Sequence, residues 1–270
     1  MLGWVHIGKW FRPAAEPCLL CGQWLRSSPS ERRSVPVRME QPRRVLMQLC
    51  DACMASIPWI RRPICLTCGR AEACGDCARR RETHFVRSRS AVRYDASMKA
   101  WLALYKYRGH ERLELLLSAM LAFAFERMCL ERGVSVRQAS SYFHAVVSVP
   151  LADERLEERG FNQADRMASA LARWYGLKHE HLLSRLHHTE KQSLKSRRSR
   201  MLDMQGNFAL SASSGRLAVL RSSELRRIVL IDDIFTTGST MNECARVLRM
   251  ARPSFAESDI QVYGVLWARS

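Results

Sequence analysis

What the 270-residue chain lacks narrows it first. Its longest apolar run, residues 115–125 with small interruptions, falls well short of the ~20 residues that a membrane-spanning helix needs, so it reads as a core helix and no membrane insertion is expected. Residues 1–12 hold no apolar stretch of the kind a secretory signal requires, and the expected location is cytoplasmic. Acid is scarce relative to base: 26 Asp and Glu stand against 43 Lys and Arg, a formal net charge of +17. That excess implies attraction to anions, whether nucleic acid, a polyphosphate or an acidic protein, without choosing among them or against a merely solvated basic surface. No aromatic residues interleave the basic segments, which counts against a stacking platform for single-stranded nucleic acid. With 47% hydrophobic and 26% charged residues, wholesale disorder is excluded.

Cysteine is abundant, and its spacing points to metal rather than to disulfides: eight of the ten fall in four Cys-x-x-Cys pairs. Cys18-Leu-Leu-Cys21-Gly22 and Cys65-Leu-Thr-Cys68-Gly69 have the form of zinc-knuckle turns, in which glycine relieves a tight backbone so that amides face thiolate sulfurs. Cys50 with Cys53, and Cys74 with Cys77, complete two sets of four. Taken in sequence order these give two closed, tetrahedral, all-thiolate Zn²⁺ sites, with a crossed pairing as the alternative. Such zinc has no open position for catalysis and replaces the core that so short a segment cannot build. The expected organisation is a cysteine-rich, double zinc-ribbon-like module over residues 1–84 and a larger domain over residues 85–270, with the Ser-, Pro- and Arg-rich residues 27–44 as a loop between the first two knuckles. Cys129 and Cys244, outside the pairs, read as buried small residues.

The richest chemistry lies in residues 226–244. Ile228, Val229, Leu230 and Ile231 form an apolar, largely β-branched run without polar alternation, the mark of a parallel strand buried on both faces. Two acids, Asp232 and Asp233, follow where the strand is expected to emerge. Thr236, Thr237, Gly238, Ser239 and Thr240 then make a hydroxyl-rich turn into a helix. Gly238 permits positive φ and close approach of an anion, and a helix start supplies free N–H donors and a positive dipole end. Carboxylates repel phosphate, so the acid pair suits sugar hydroxyls or a Mg²⁺ held by a diphosphate. The pattern, an apolar strand followed by Asp-Asp-x-x-x-Thr-Gly-x-Thr, resembles the phosphoribosyl pyrophosphate (PRPP) signature of type I phosphoribosyltransferases.

Strands and helices alternate from about residue 87 onward, which predicts an α/β sheet. Residues 87–94 read as a strand leading into a helix over 98–107, with Trp101, Leu102, Leu104 and Tyr105 as its apolar face. A buried helix follows over 111–131, then a strand over 144–150, a helix over 164–175, a helix over 241–250, and a last strand over 260–268 placed at the sheet edge. The strand at 144–150 delivers a loop at the strand end where α/β sheets bind ligands. In it Arg155 and Arg159 lie one helical turn apart, either as guanidinium forks for a diphosphate or as partners of the acids between them. Residues 189–200 are polar and basic with no apolar face, suited to covering a pyrophosphate, to nucleic-acid backbone, or to solvation alone.

Val149-Pro150 with Arg155, Arg159-Gly160-Phe161-Asn162-Gln163, the cysteine pairs, Lys106-Tyr107-Arg108-Gly109 and the Asp232–Thr240 loop together resemble the ComF family of competence proteins, ComFC in particular. The resemblance covers most of the chain. It implies a type I phosphoribosyltransferase-like parallel sheet flanked by helices behind a zinc module. It also implies PRPP with Mg²⁺ bound by Asp232, Asp233, residues 236–240, Arg155 and Arg159, with the acid pair as the catalytic centre, and a cytoplasmic role in DNA uptake beside a helicase-like partner. Purine-type members of the wider fold carry an acid where this chain has Thr236, so no general base is legible. An enzyme of unknown acceptor and a non-catalytic PRPP-sensing module touching single-stranded DNA or a helicase both remain open.

Overall fold

The apolar runs that lack polar alternation are the strands of one all-parallel sheet. The computed structural model describes residues 17–25, 35–108, 111–186, 206–211, 226–251 and 260–270. Strands β1 (Arg87–Arg93), β2 (Ala145–Ser148), β5 (Arg226–Phe235) and β6 (Ile260–Arg269) lie in the order β1-β6-β5-β2. Short strands β3 (Leu183–Arg185) and β4 (Phe208–Leu210) pair antiparallel beside it. Successive side chains of a strand point to opposite faces, and β5 shows the consequence. Val229 and Ile231 enter one apolar cluster, with the helices α5 (Glu111–Glu131) and α8 (Gln163–Tyr175), while Ile228 and Leu230 enter a second, with the helix α9 (Ser239–Arg249). Helices thus cover both faces of the sheet, as expected for an α/β fold of this class.

The last strand is not at the edge. β6 lies between β1 and β5 and buries nine of its ten residues, the tenth being half-buried. Its near-continuous apolar run, Val262 to Ala268 around Gly264, requires cover on both faces and both flanks, which an edge cannot give. β5 also runs further than its apolar stretch, through both acids to Phe235, because β6 goes on pairing with it from Asp232 to Phe235. Helix α4 (Ala96–Arg108) buries Met98, Leu102 and Tyr105, an i, i+4, i+7 stripe, whereas Leu104 faces solvent at 37% exposure. Asp95 Oδ1 accepts the Met98 N–H at 2.8 Å and caps it.

The cysteine-rich segment is fastened to the sheet rather than merely joined to it. Residues 58–60 run antiparallel along β1, with Ile60 N–H on Ala91 O at 2.9 Å and Arg93 N–H on Pro58 O at 3.0 Å, so they cover that strand's edge. The stretch expected as loop, residues 27–44, ends inside helix α1 (Glu40–Leu46), whose buried Pro42 and Leu46 explain the departure: an apolar face had a core to meet. At its start the buried carboxylate of Glu126 on α5 accepts the N–H groups of Arg38 and Met39 at 2.7 and 2.8 Å, and the Tyr175 hydroxyl at 2.9 Å. The remaining short helices are α2 (Asp51–Ser56), α3 (Gly75–Arg79), α6 (Ala139–Tyr142) and α7 (Asp153–Arg159). Among the described residues no helix is long and apolar enough to cross a membrane. The basic residues 189–200 lie outside the described residues.

Candidate functional site: an acid pair, a glycine loop and two cysteine tetrads

The cysteines converge in sequence order. The ligating sulfurs of Cys18, Cys21, Cys50 and Cys53 lie within 4.8 Å of one another, and so do those of Cys65, Cys68, Cys74 and Cys77. Gly22 and Gly69 follow the knuckles with φ of 73° and 71°, the left-handed turn that lets backbone amides face sulfur. Cys50 N–H donates to Cys18 Sγ at 3.2 Å. Burial opposes ionisation of Cys18, but N–H groups of Cys21, Cys50 and Leu20 outweigh it and lower its pKa to about 6. Cys74 is lowered likewise to about 7, against burial, by N–H donation from Cys77. Four sulfurs at this spacing, with thiolate-stabilising amides, fit tetrahedral zinc. Cys129 and Cys244 are fully buried, as expected.

The acid pair sits on β5, half-buried, and its two members have opposite electrostatics. Lys106 of α4 places Nζ 2.5 Å from Asp233 Oδ2, and Gln163, at the start of α8, donates Nε2–H to the same oxygen at 3.0 Å. Burial works against ionisation of Asp233, yet the Lys106 ammonium and these hydrogen bonds hold its carboxyl below the usual range. Asp232 is pushed well above that range, by burial first and by the Asp233 charge second. It accepts the Asp233 N–H on Oδ1 at 2.9 Å. The pair therefore carries one firmly held anion and one carboxyl that resists ionising until a cation or hydroxyl donors arrive.

Beyond the acids the chain turns as expected. Gly238 has φ of 81° and caps α9, and a Cβ there would collide with the Phe235 ring and lie 2.6 Å from Arg80 Nη2. Thr236 is exposed, Ser239 and Thr240 are half-buried, and Thr237 is buried. The Thr237 and Ser239 hydroxyls lie 2.8 Å apart in a hydrogen bond, so Thr237 braces the turn. Ser239 and Thr240 stand in the first turn of α9, the end of the helix whose dipole favours an anion.

The two sequence-predicted arginines lie on α7. Arg159 Nη1–H donates to Gln163 Oε1 at 3.3 Å, which joins it through Gln163 to Asp233. Arg155 is exposed and shares its electrostatic surroundings with Arg185. Sequence reasoning missed Arg185 on β3: burial, and then the Arg155 charge, lower its pKa, while Asp232 acts in the other direction. It missed Arg269 as well. This buried residue donates Nη1–H to Phe235 O at 3.0 Å and Thr236 O at 2.7 Å, and its Nη2 lies 3.7 Å from Cys68 Sγ and 3.8 Å from Cys74 Sγ. Arg80 donates to Thr237 O. The second tetrad and the glycine loop thus share two arginines. An arginine closing an otherwise apolar strand was the available signal.

A parallel α/β sheet whose interior strand carries an acid pair into a glycine turn and a helix start, behind two cysteine tetrads, is the class expected of a type I phosphoribosyltransferase-like domain with a zinc-ribbon module. Relatives narrow that class. The chain is 29% identical over 245 residues to Competence protein ComFC of Bacillus subtilis (strain 168), covering 86% of this chain and 88% of that protein. It is 27% identical over 223 residues to Competence protein F of Haemophilus influenzae, covering 80% and 89%. DNA utilization protein YhgH of Escherichia coli (strain K12) is 36% identical over 131 residues, 47% of this chain and 54% of that one. The first two likenesses extend over most of the chain and are to competence proteins, in line with the resemblance to the ComF family. No family model matches the chain. A solved structure entitled the allosteric regulatory enzyme of purine biosynthesis aligns over 48% of this chain and 24% of its own, at 16% identity and a TM-score of 0.27, a likeness too slight to argue from.

Proposed function

We propose that this chain is a ComF-like, phosphoribosyltransferase-type protein that binds PRPP with Mg²⁺ and serves DNA uptake during natural transformation in the cytoplasm. The observation that carries this reading is the continuity of the site. Asp232 and Asp233, the positive-φ Gly238 and the start of α9 follow one another on one strand end, with Lys106 on the second acid. A ribose held by the carboxylates would then have its 5′-phosphate at the helix start and its pyrophosphate toward Arg155 and Arg159.

The donor set suits Mg²⁺, since carboxylate oxygens are the hard ligands this ion takes. Lys106 neutralises Asp233, so the pair alone would bind the ion weakly and needs the oxygens of a diphosphate as well. When bound, Mg²⁺ would supply charge neutralisation for a departing pyrophosphate. The chain's own residues do the rest. Asp232 and Asp233 hold ribose hydroxyls while C1 becomes oxocarbenium-like, Ser239, Thr240 and the helix amides anchor the phosphate, and the arginines take up the leaving group's charge. The zinc sites would be structural, the second one bracing the loop through Arg269.

Exposed Thr236, standing where purine-type enzymes have an acid, favours a second reading: a PRPP sensor without turnover that contacts a competence helicase or single-stranded DNA. One experiment separates the two. The protein is incubated with PRPP and Mg²⁺, with and without a panel of bases and nucleic acids, and pyrophosphate is measured. Release with one acceptor supports a transferase. Binding without release across the panel supports the sensor, and no binding at all sinks both.

A further inference from the structure

A third group of metal-ligating side chains stands apart from the cysteines and the acid pair. Residues 178–180 run beside β2, with Val146 N–H on Lys178 O at 2.7 Å and Glu180 N–H on Val146 O at 2.9 Å. Such an extended run sends His179 and His181, two residues apart, to the same side. There they meet Asp165, in the first turn of α8.

The three ligand atoms lie within 4.8 Å of one another. His179 Nε2 is 3.3 Å and His181 Nδ1 3.2 Å from the same atom, Asp165 Oδ1. Ser148 already donates its hydroxyl to that oxygen at 2.8 Å. Three groups therefore crowd one carboxylate oxygen. His179 Nε2 is buried and, despite its proximity, makes no hydrogen bond of sound geometry among the described residues. A hydrogen-bond network accounts poorly for this arrangement. A metal centre accounts for it well: with bonds of about 2.0–2.1 Å, neighbouring donors of a tetrahedral zinc site are about 3.3 Å apart.

We propose that Asp165, His179 and His181 form a third metal site, for Zn²⁺ or a like divalent transition metal, with one exchangeable position. Two imidazoles and a carboxylate select such ions over Mg²⁺. Three protein ligands leave the fourth position free, in contrast to the closed cysteine tetrads. That position opens to solvent: Asp165 and His181 line a cavity of about 530 Å³, and His181 is 48% exposed. Arg166 and Arg185 stand in the same cavity wall, so the ligand favoured there is a small anion such as inorganic phosphate. Ser148 orients the carboxylate from behind. The site does not depend on the PRPP reading and is testable without that ligand.

The test uses full-length protein with both cysteine sites filled with zinc, titrated with Co²⁺ in the absence of PRPP. The expected result is one further equivalent bound, with visible ligand-field absorption lacking the sulfur-to-metal charge-transfer band of a thiolate site, and displaced by Zn²⁺. His181→Ala, at a half-exposed position that folding tolerates, loses this absorption while keeping its tetrad zinc, and Ser148→Ala weakens binding by about tenfold. Inorganic phosphate shifts the spectrum of the wild type. Absence of a thiolate-free Co²⁺ spectrum in the wild type overturns the site, as does an unchanged one in His181→Ala. A spectrum indifferent to phosphate overturns its exchangeable position.

Discussion

Asp232→Asn and Asp233→Asn are nearly isosteric changes at adjacent positions, yet their effects on stability should have opposite signs. Asp232 has a raised pKa in the folded chain, from burial and from the neighbouring Asp233 charge. A carboxyl raised in this way contributes stability that is full below its unfolded value near 3.9 and is lost as pH rises through the folded pKa. Near neutral pH it is a liability to the folded chain. An Asn keeps the oxygen that accepts the Asp233 N–H and removes the charge. The gain should be about 1–2 kcal/mol, typical of relieving a strained functional site, which raises Tm by roughly 2–8 °C in a chain of this size. Asp233 is the reverse case. Its pKa is depressed by Lys106, so its contribution is present above the unfolded value and lost as pH falls through the folded one. Asp233→Asn strands an ammonium whose side chain is 16% exposed, and should cost about 2–3 kcal/mol, below the roughly 3–5 of a fully buried pair. The assay is thermal unfolding of zinc-loaded protein from pH 5 to 8. The Asp232→Asn advantage should widen as pH rises. Shifts of the same sign in both variants, or an advantage that does not change with pH, would refute the electrostatic division of the pair.

Other expectations follow from single contacts. Arg269→Leu removes the buried donor of the Thr236 carbonyl and leaves the Phe235 carbonyl with the Ser270 N–H, at a cost of roughly 1–3 kcal/mol, and should loosen metal at the second tetrad more than at the first, measured by chelator competition. Glu126→Ala frees the start of α1 and should cost about 2–3 kcal/mol, with faster hydrogen exchange at Arg38 and Met39. Gly238→Ala forces a side chain into the left-handed region and against Phe235, and should impair phosphate-loop binding even where the protein still folds, as calorimetry would report. Elemental analysis of the chain stripped of metal outside the tetrads by a weak chelator should return two tetrad zinc ions, and Cys68→Ser should lose only the second. Loss of both ions together would contradict independent tetrads.

Local signals in the sequence reached far into this structure. The apolar run at Ile228 to Ile231 was legible because a strand buried on both faces has no polar alternation, and the tetrads were legible because Cys-x-x-Cys followed by glycine is a local turn geometry. Gly238 was legible for the same reason. The misplacement of β6 has a different origin: the apolar run of residues 262–268 asked for an interior position, but which strand neighbours which is decided by crossovers through helices, and nothing in that run names β1 as the partner on its far flank. Glu126, Arg185 and Arg269 were missed because their partners lie far away in sequence, 88 residues from Arg38 in the first case and 201 from Cys68 in the last. Lys106 stood within a motif, but its position against Asp233 came only from the packing of α4. The histidines at 179 and 181 carried no signal until β2 and α8 brought Ser148 and Asp165 beside them.

The proposed role of the acid pair and the glycine loop is to hold PRPP together with Mg²⁺. Isothermal calorimetry of the zinc-loaded chain tests it most directly. Saturable PRPP binding is expected that requires Mg²⁺ and disappears in both Asp232→Asn and Asp233→Asn, while each variant keeps its fold. Binding of equal affinity in those variants, or no binding by the wild type with Mg²⁺ present, would contradict it.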